Sequence, residues 1–266
     1  MKLGHAIYIN TKTPKIIKKV LEIRWATIST IKENRARKKH KDNIFPISYN
    51  DEKQVKFYLP IKKEAIQQSI IVKKEFFEKI NLDIVKKYLS KQSIILDIGA
   101  NIGNHSMYFS LLDSDNKIYA FEPHNINYNI LRKNIEINNL TNIKIYNIAI
   151  GDKEGSGILV EKDNNNLCDT MVEYQAEGKV RFTSLDKFIQ TVQLKKIDLI
   201  KIDVEGFEEY VIKGMVQLIN KYDPIYWIEI WDEKKEVVFK LLKKYNLIEI
   251  KNKQFNLVDN YLFKKR

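Results

Sequence analysis

The chain has 266 residues, 44% of them hydrophobic and 30% charged, with a formal net charge of +12. That length and apolar content suit one large α/β domain with an appendage. Lysines interrupt every hydrophobic segment, so no uncharged apolar run approaches the ~18 residues of a membrane span, and the single cysteine, Cys168, excludes a disulfide framework or a cysteine-rich metal site and points to a reducing cytoplasm.

The N-terminal patch Ala6-Ile-Tyr-Ile9 is too short for a signal peptide. Residues 1–45 read as helical and basic, with an apolar stripe at Ile16, Ile17, Val20, Leu21 and Ile23 that Trp25, Ile28 and Ile31 continue; a docking or dimerising helix pair is the expectation. The charge is concentrated here. Residues 1–90 hold 21 Lys+Arg against 9 Asp+Glu, and residues 91–266 hold 25 of each, so the whole excess of 12 lies in the first third, peaking at Lys32–Lys41. Coding bias toward Ile, Lys and Asn explains such a run, as does an anionic substrate or membrane face. Nucleic acid has no RNA-binding or helix-turn-helix signature to support it.

Short β-like pieces follow at Val55–Leu59 and Ser69–Val72, broken by Pro46 and Pro60. Residues 75–90 read as one amphipathic helix. Then strands and helices alternate: strands at 93–99, 117–122, 143–150, 197–203 and 225–231, helices at 104–112, 125–138, 206–219 and 233–244, and a closing hairpin near 247–251 and 255–263. A segment at 153–192, with the run Asp163-Asn-Asn-Asn166, interrupts the alternation. This pattern implies parallel crossover units in a doubly wound, mostly parallel α/β sheet. The expected division is a basic appendage over 1–75 and a main domain over 76–266.

The organising stretch is Ser93–Ser106. An apolar strand turns through Gly99 and Gly103 into a helix for which Asn104 is the expected N-cap. A dinucleotide fingerprint needs a glycine at the middle position, where this chain has Asn101. The acid before the turn, Asp97, suits a cationic or amine-bearing ligand better than a pyrophosphate. S-adenosylmethionine (SAM), with its sulfonium and amino acid tail, fits, although an ordinary tight turn has the same pattern.

In an open sheet of this type ligands sit at the carboxyl ends of the strands. The strand-end acids Asp97, Glu122, Asp152, Asp203 and Glu229 are therefore expected along one rim. Glu122, 25 positions after Asp97 and held by Pro123, is the expected ribose ligand. Ala149 and Asp152, around Ile150 and Gly151, are where an adenine would rest. His105 follows the glycine turn as a base facing substrate or as a solvated first-turn residue, and His124 reads as a surface residue. Trp227 reads as core, and Trp231, at the rim, as a surface for a sugar ring.

The segments Asp97–Asn104, Phe121-Glu-Pro123, Asn147–Asp152, Thr183-Ser-Leu-Asp186 and Ile200–Glu208 together resemble the FkbM-type SAM-dependent methyltransferase family over about 93–232. The resemblance implies a seven-stranded class I methyltransferase fold and O-methylation, often of sugars in polysaccharides, glycolipids or natural products. Methyl transfer to a hydroxyl needs in-line alignment and removal of a proton. An acid such as Asp203 or Glu205 is expected to orient and deprotonate the hydroxyl. In a second mechanism Asp203 and Glu229, with or without His105, hold a divalent metal ion that binds the sugar oxygens. Glu205 reads equally well as a cap of the following helix.

The expected activity is thus O-methylation of a nucleotide-activated sugar or surface polysaccharide by a cytoplasmic enzyme, with no DNA or RNA partner and no transmembrane segment. Peripheral membrane contact and a homodimer stay open. The alternatives are a nucleic-acid methyltransferase using the basic segment, and a non-catalytic SAM-binding module.

Overall fold

The computed structural model describes residues 15–51, 53–161, 170–249 and 258–265. The Ala6–Ile9 patch, the Asp163–Asn166 run and Cys168 lie outside the described residues. So do the side chains of Ile16, Ile17, Val20 and Leu21.

In chain order the elements are α1 (Lys15–Lys39), β1 (Ile44–Ser48), β2 (Gln54–Tyr58), α2 (Ala65–Lys73), α3 (Lys79–Val85), β3 (Ile94–Ile98), α4 (Asn104–Leu112), β4 (Lys117–Phe121), α5 (Asn125–Ile137), β5 (Ile143–Tyr146), β6 (Ala149–Gly151), β7 (Gly155–Glu161), β8 (Thr170–Tyr174), β9 (Val180–Ser184), α6 (Leu185–Val192), β10 (Leu199–Ile202), α7 (Glu208–Lys213), α8 (Val216–Lys221), β11 (Ile225–Trp231), α9 (Lys235–Leu241), β12 (Tyr245–Glu249) and β13 (Val258–Lys265). The main sheet has seven strands in the order β12-β13-β11-β10-β3-β4-β5. β11, β10, β3, β4 and β5 are mutually parallel, and β13 runs antiparallel to both β11 and β12. This is the mostly parallel, doubly wound sheet that the alternation implies, with its strand order reversing at β3.

Both faces of the sheet are buried, so its central strands are apolar almost throughout. Ile95, Ala120, Leu199 and Trp227 face a layer built by α3, α4, α5 and the β1–β2 hairpin, whereas Leu96, Phe121, Ile200 and Ile228 face α6, α7, α8 and α9. Phe45, Ile47, Val55 and Phe57 of the hairpin share the first of these cores. The hairpin is also tied to α5, where Asn134 and Asn138 accept the Tyr58 and Lys56 amides at 2.6 and 2.9 Å. A second sheet, β6-β9-β7-β8, carries the interrupting segment.

Several elements differ from the sequence expectation, each for a local reason. The 75–90 helix starts only at Lys79, because Glu78 takes a left-handed φ of 54°. Ser69–Val72 is helical rather than extended: Glu64 caps α2 by accepting the Ile66 and Gln67 amides, both at 2.9 Å. The 143–150 strand divides into β5 and β6. The break lies at Asn147, whose side chain donates to the Glu122 and Pro123 carbonyls at 2.9 and 3.2 Å. The 206–219 helix divides at Gly214, where a Cβ would lie 1.9 Å from the Gly151 carbonyl oxygen. The expected helix pair of residues 1–45 is, over the described residues, the one helix α1.

Candidate active site

Alternation along the strands sets up the rim. Side chains of one parity point to the α3–α5 side, and the register places Ala120, Asp97, Lys201 and Trp227 in one row across four strands. Glu122, Asp203 and Glu229 continue the same parity to the carboxyl ends of β4, β10 and β11. A lysine in the middle of a buried strand needs partners. Lys201 has three: its Nζ donates to the Gly99 carbonyl at 2.7 Å and lies 3.2 Å from both Asp97 Oδ1 and Asp203 Oδ2. Burial pushes Lys201 toward neutrality, but Asp203 and Asp97 outweigh it and hold its pKa above the ordinary lysine value.

The glycine turn is shaped by packing as much as by access. Gly99 (φ 78°) has no room for a side chain, since a Cβ would sit 1.8 Å from the Asp203 carbonyl oxygen; at Gly103 (φ 89°) it would meet Leu131 Cδ1 at 2.4 Å. Asn101 adopts the left-handed region at φ 50°, and its amide donates to Glu122 Oε2 at 2.8 Å. Asp97 is wholly buried and accepts the Ser106 hydroxyl at 2.6 Å. It therefore braces the turn from below, together with Lys201. Asn104 is not the N-cap of α4; that position is Gly103. The Asn104 side chain instead accepts the Phe77 amide at 2.9 Å and donates to the Phe77 carbonyl at 3.0 Å.

Glu122 lies at the tip of β4. Its Oε1 accepts the His124 amide at 2.8 Å, and Oε2 takes the Asn101 amide. Burial raises its pKa to about 7, against the pull of those two amides and of Lys201. Each oxygen keeps a lone pair for a hydroxyl donor. His124 is buried rather than a surface residue: its Nδ1 accepts the Ile126 amide at 3.2 Å and so caps α5.

Asp152 stands apart from the other acids. It follows β6 in the second sheet, and its carboxylate accepts the Tyr174 hydroxyl at 2.7 Å while its amide donates to the same oxygen at 3.1 Å. The expected rim of five acids is thus a rim of four. Ala149 and Ile150 are buried in β6, with Ala149 opposite Phe182 of β9.

The other end of the rim has a different chemistry. Asp203 and Glu229 are hydrogen-bonded to each other. Burial works against an ionised Asp203, yet Lys201 pulls its pKa down most strongly, with Glu229 and His105 adding, and the net shift is downward. Glu229 goes the other way: burial first, then the charges of Asp203 and Glu78, push it well above the usual carboxylate range. The opposed shifts favour a proton on Glu229 over one on Asp203. Glu205, at a left-handed φ of 53°, adds its charge against Glu229. It is not the N-cap of α7, which is Phe207. Glu208 supports that turn instead, accepting the Gly206 amide at 2.8 Å, and burial lifts its pKa to about 7.

These residues do not fit a resident divalent ion. The Lys201 ammonium lies 3.2 Å from Asp203 and competes with a second cation for that carboxylate. Among the described residues no group of three His, Cys, Asp or Glu side chains is placed to hold a metal ion.

His105 is buried on the first turn of α4, edge-on to Trp227 with ring centroids 4.8 Å apart. Its Nε2 lies 3.3 Å from Glu78 Oε2. The other oxygen of Glu78 accepts from Asn81 at 3.1 Å and from Asn260 at 3.2 Å, and Asn260 in turn accepts the Trp227 indole N–H at 2.6 Å. Glu78 and Asn260 were not apparent from the sequence, because Glu78 lies inside an expected helix and Asn260 at the chain's far end. Lys201 had a visible signal: a lysine flanked by isoleucines, one strand parity from an aspartate.

Similarity to known proteins covers the part of the chain that carries the rim. The family model described as methyltransferase FkbM domain matches residues 97–264. Methyltransferase sdnD of Sordaria araneosa is 28% identical, over 59% of this chain and 72% of its own length. The 2-O-methyltransferase NoeI of Sinorhizobium fredii is 26% identical, over 56% of this chain and 68% of its own. The hexuronic acid methyltransferase AglP of Haloferax volcanii is 24% identical, over 52% of this chain and 57% of its own, so part of each relative has no counterpart in the match. The chain belongs to the FkbM methyltransferase family and carries that family's SAM-dependent methyltransferase domain over residues 97–264.

Proposed function

We propose that this protein transfers a methyl group from SAM to a hydroxyl of a sugar, as part of a nucleotide-activated sugar or a surface polysaccharide. The observation that carries the proposal is the geometry of the rim: Glu122 fixed by the Asn101 and His124 amides, and Asp203 held between the Lys201 ammonium and Glu229. When bound, SAM supplies a methyl on a positively charged sulfur, activated for displacement.

The chain's own residues do the rest. Glu122 receives the ribose hydroxyls on its free lone pairs, and the turn from Gly99 to Gly103 forms the floor. The backbone around Ala149 and Asp152 borders the adenine. Asp203 accepts the hydrogen of the acceptor hydroxyl and takes up the proton as the new bond forms. Glu229 and Lys201 set the acidity of Asp203, so the carboxylate is ionised when the hydroxyl arrives. His105, backed by Glu78, borders the acceptor on the α4 side. A sugar acceptor is favoured by the similarity to AglP, a hexuronic acid methyltransferase, and a hydroxyl acceptor by that to NoeI, a 2-O-methyltransferase.

The test is a mass-spectrometric screen of nucleotide sugars and uronic-acid-containing glycans with SAM, run with and without a chelator. A mass gain of one methyl group on a sugar acceptor, unaffected by chelator, is expected. Methylation of duplex DNA or RNA in place of every sugar would overturn the acceptor class.

A further inference from the structure

Helix α1 is inside out. Among its described side chains, those buried are Ser29, Glu33 and Arg37, while Ile23, Trp25, Ile28 and Ile31 are 58%, 45%, 50% and 47% exposed. Glu33 and Arg37 have partners within the protein, whereas the buried Ser29 hydroxyl has none among the described residues. Glu33 accepts from Arg37 Nε at 2.9 Å and from Gln68 of α2 at 2.8 Å, and Arg37 donates to the Leu59 and Ile61 carbonyls at 2.6 and 2.8 Å. Glu33 and Arg37 take up the inner face, and Ile23, Trp25, Ile28 and Ile31 lie outside.

Those side chains are interleaved with cations. At 3.6 residues per turn, Arg24, Ile28, Ile31, Arg35, Lys38 and Lys39 fall within an arc of about 100°, opposite the buried row. Trp25 and Lys32 flank one edge of that arc. Among the described residues the one ion pair within the helix joins Arg37 to Glu33, on the inner side. The cationic surface continues past the helix end into a hollow of about 520 Å³ bordered by Arg37, Lys38, Lys41 and Lys62.

We propose that the outer face of α1 docks on an anionic lipid bilayer. Isoleucine and tryptophan side chains enter the headgroup–acyl boundary while the arginines and lysines meet lipid phosphates and carboxylates, the arrangement of an interfacial amphipathic helix. Charge complementarity selects this occupant. A second copy docked face to face would bring Arg24, Arg35, Lys38 and Lys39 of one protomer against the same cations of the other. A soluble polyanion would satisfy the cations and leave Ile28 and Ile31 in water. No described helix is long and apolar enough to cross a membrane, so the contact is peripheral. The proposal does not depend on methyl transfer, because bilayer binding needs no donor or acceptor.

The test is co-sedimentation of the full chain with vesicles of phosphatidylcholine alone or with about one third phosphatidylglycerol, at low and high salt. Binding only to the anionic vesicles, weakened by salt, is expected. Each cation contributes about fivefold to partitioning, so the Arg35→Gln/Lys38→Gln/Lys39→Gln variant should bind about 100-fold more weakly. Ile28→Ser/Ile31→Ser should bind at least tenfold more weakly at unchanged charge, with an unaltered melting temperature showing that the fold is kept. Three results would each overturn the proposal: no sedimentation with anionic vesicles at low salt; binding indifferent to the isoleucine substitutions and matched by soluble polyphosphate; or a dimer in vesicle-free sedimentation velocity that Ile28→Ser/Ile31→Ser dissociates.

Discussion

The two ends of the rim use the same side chain, a carboxylate at a strand tip, for opposite purposes. At the β3–β4 end Asp97 and Glu122 are each met by donors: the Ser106 hydroxyl and Lys201 for one, two backbone amides for the other. At the β10–β11 end Asp203 faces another acid: Lys201 lowers the Asp203 pKa, while burial and the Asp203 charge raise that of Glu229. The first arrangement fixes its carboxylates with donors. The second sets one acid against the other, so that the two favour opposite protonation states. Lys201 joins the two, contacting Asp97 and Asp203 at once.

That shared lysine gives the most direct way to break the comparison. Lys201→Met strands two buried or half-buried carboxylates, and a broken buried pair costs about 3–5 kcal/mol. Urea unfolding should show a loss of that size; a loss below about 1 kcal/mol would mean that the lysine is not the tie between the ends.

The next effect separates the ends by function. Asp203→Asn should lower kcat about 10³-fold, within the usual range for removing a general base, while the SAM dissociation constant changes less than threefold. Labelled-SAM turnover and calorimetry measure the two quantities, and unimpaired turnover removes Asp203 from the mechanism. Glu122→Ala should do the reverse. It should weaken SAM binding by about 1–3 kcal/mol, the scale of lost charge-assisted hydrogen bonds, and an unchanged dissociation constant would count against its role.

The smallest effect is a pH dependence confined to the β4 end. With its pKa raised to about 7 by burial, Glu122 is ionised above that pH and protonated below it. Only the ionised form offers both oxygens as acceptors to the ribose. SAM affinity in the wild type should therefore hold between pH 8 and pH 9 and fall by up to about tenfold toward pH 6. In Glu122→Gln the profile should be flat over the same interval. A wild-type profile without this fall would place the carboxylate elsewhere in the binding scheme.

The strand-end acids were legible because parity and strand length are written locally: Asp97, Glu122, Asp203 and Glu229 each close an apolar run, and the register then gathers them. What the sequence could not give was how they are partnered. Glu78 reaches His105 only because the chain reverses into a left-handed turn before α3, and Asn260 arrives from a strand near the other terminus. Asp152 was misplaced because Asn147 leaves the main sheet to bind the Glu122 and Pro123 carbonyls, which carries the following residues into a second sheet. The α1 stripe was visible as a stripe, but the outward direction of Ile23, Trp25, Ile28 and Ile31 depends on Glu33 and Arg37 having partners on α2 and the loop before it.

The most direct test of the account is a crystal structure with S-adenosylhomocysteine, the product left after transfer. The ribose hydroxyls should lie within hydrogen-bonding distance of Glu122, with the sulfur directed toward the Asp203–Glu229 end of the rim. A nucleoside bound away from the β3–β4 crevice, or one whose sulfur points away from Asp203, would contradict it.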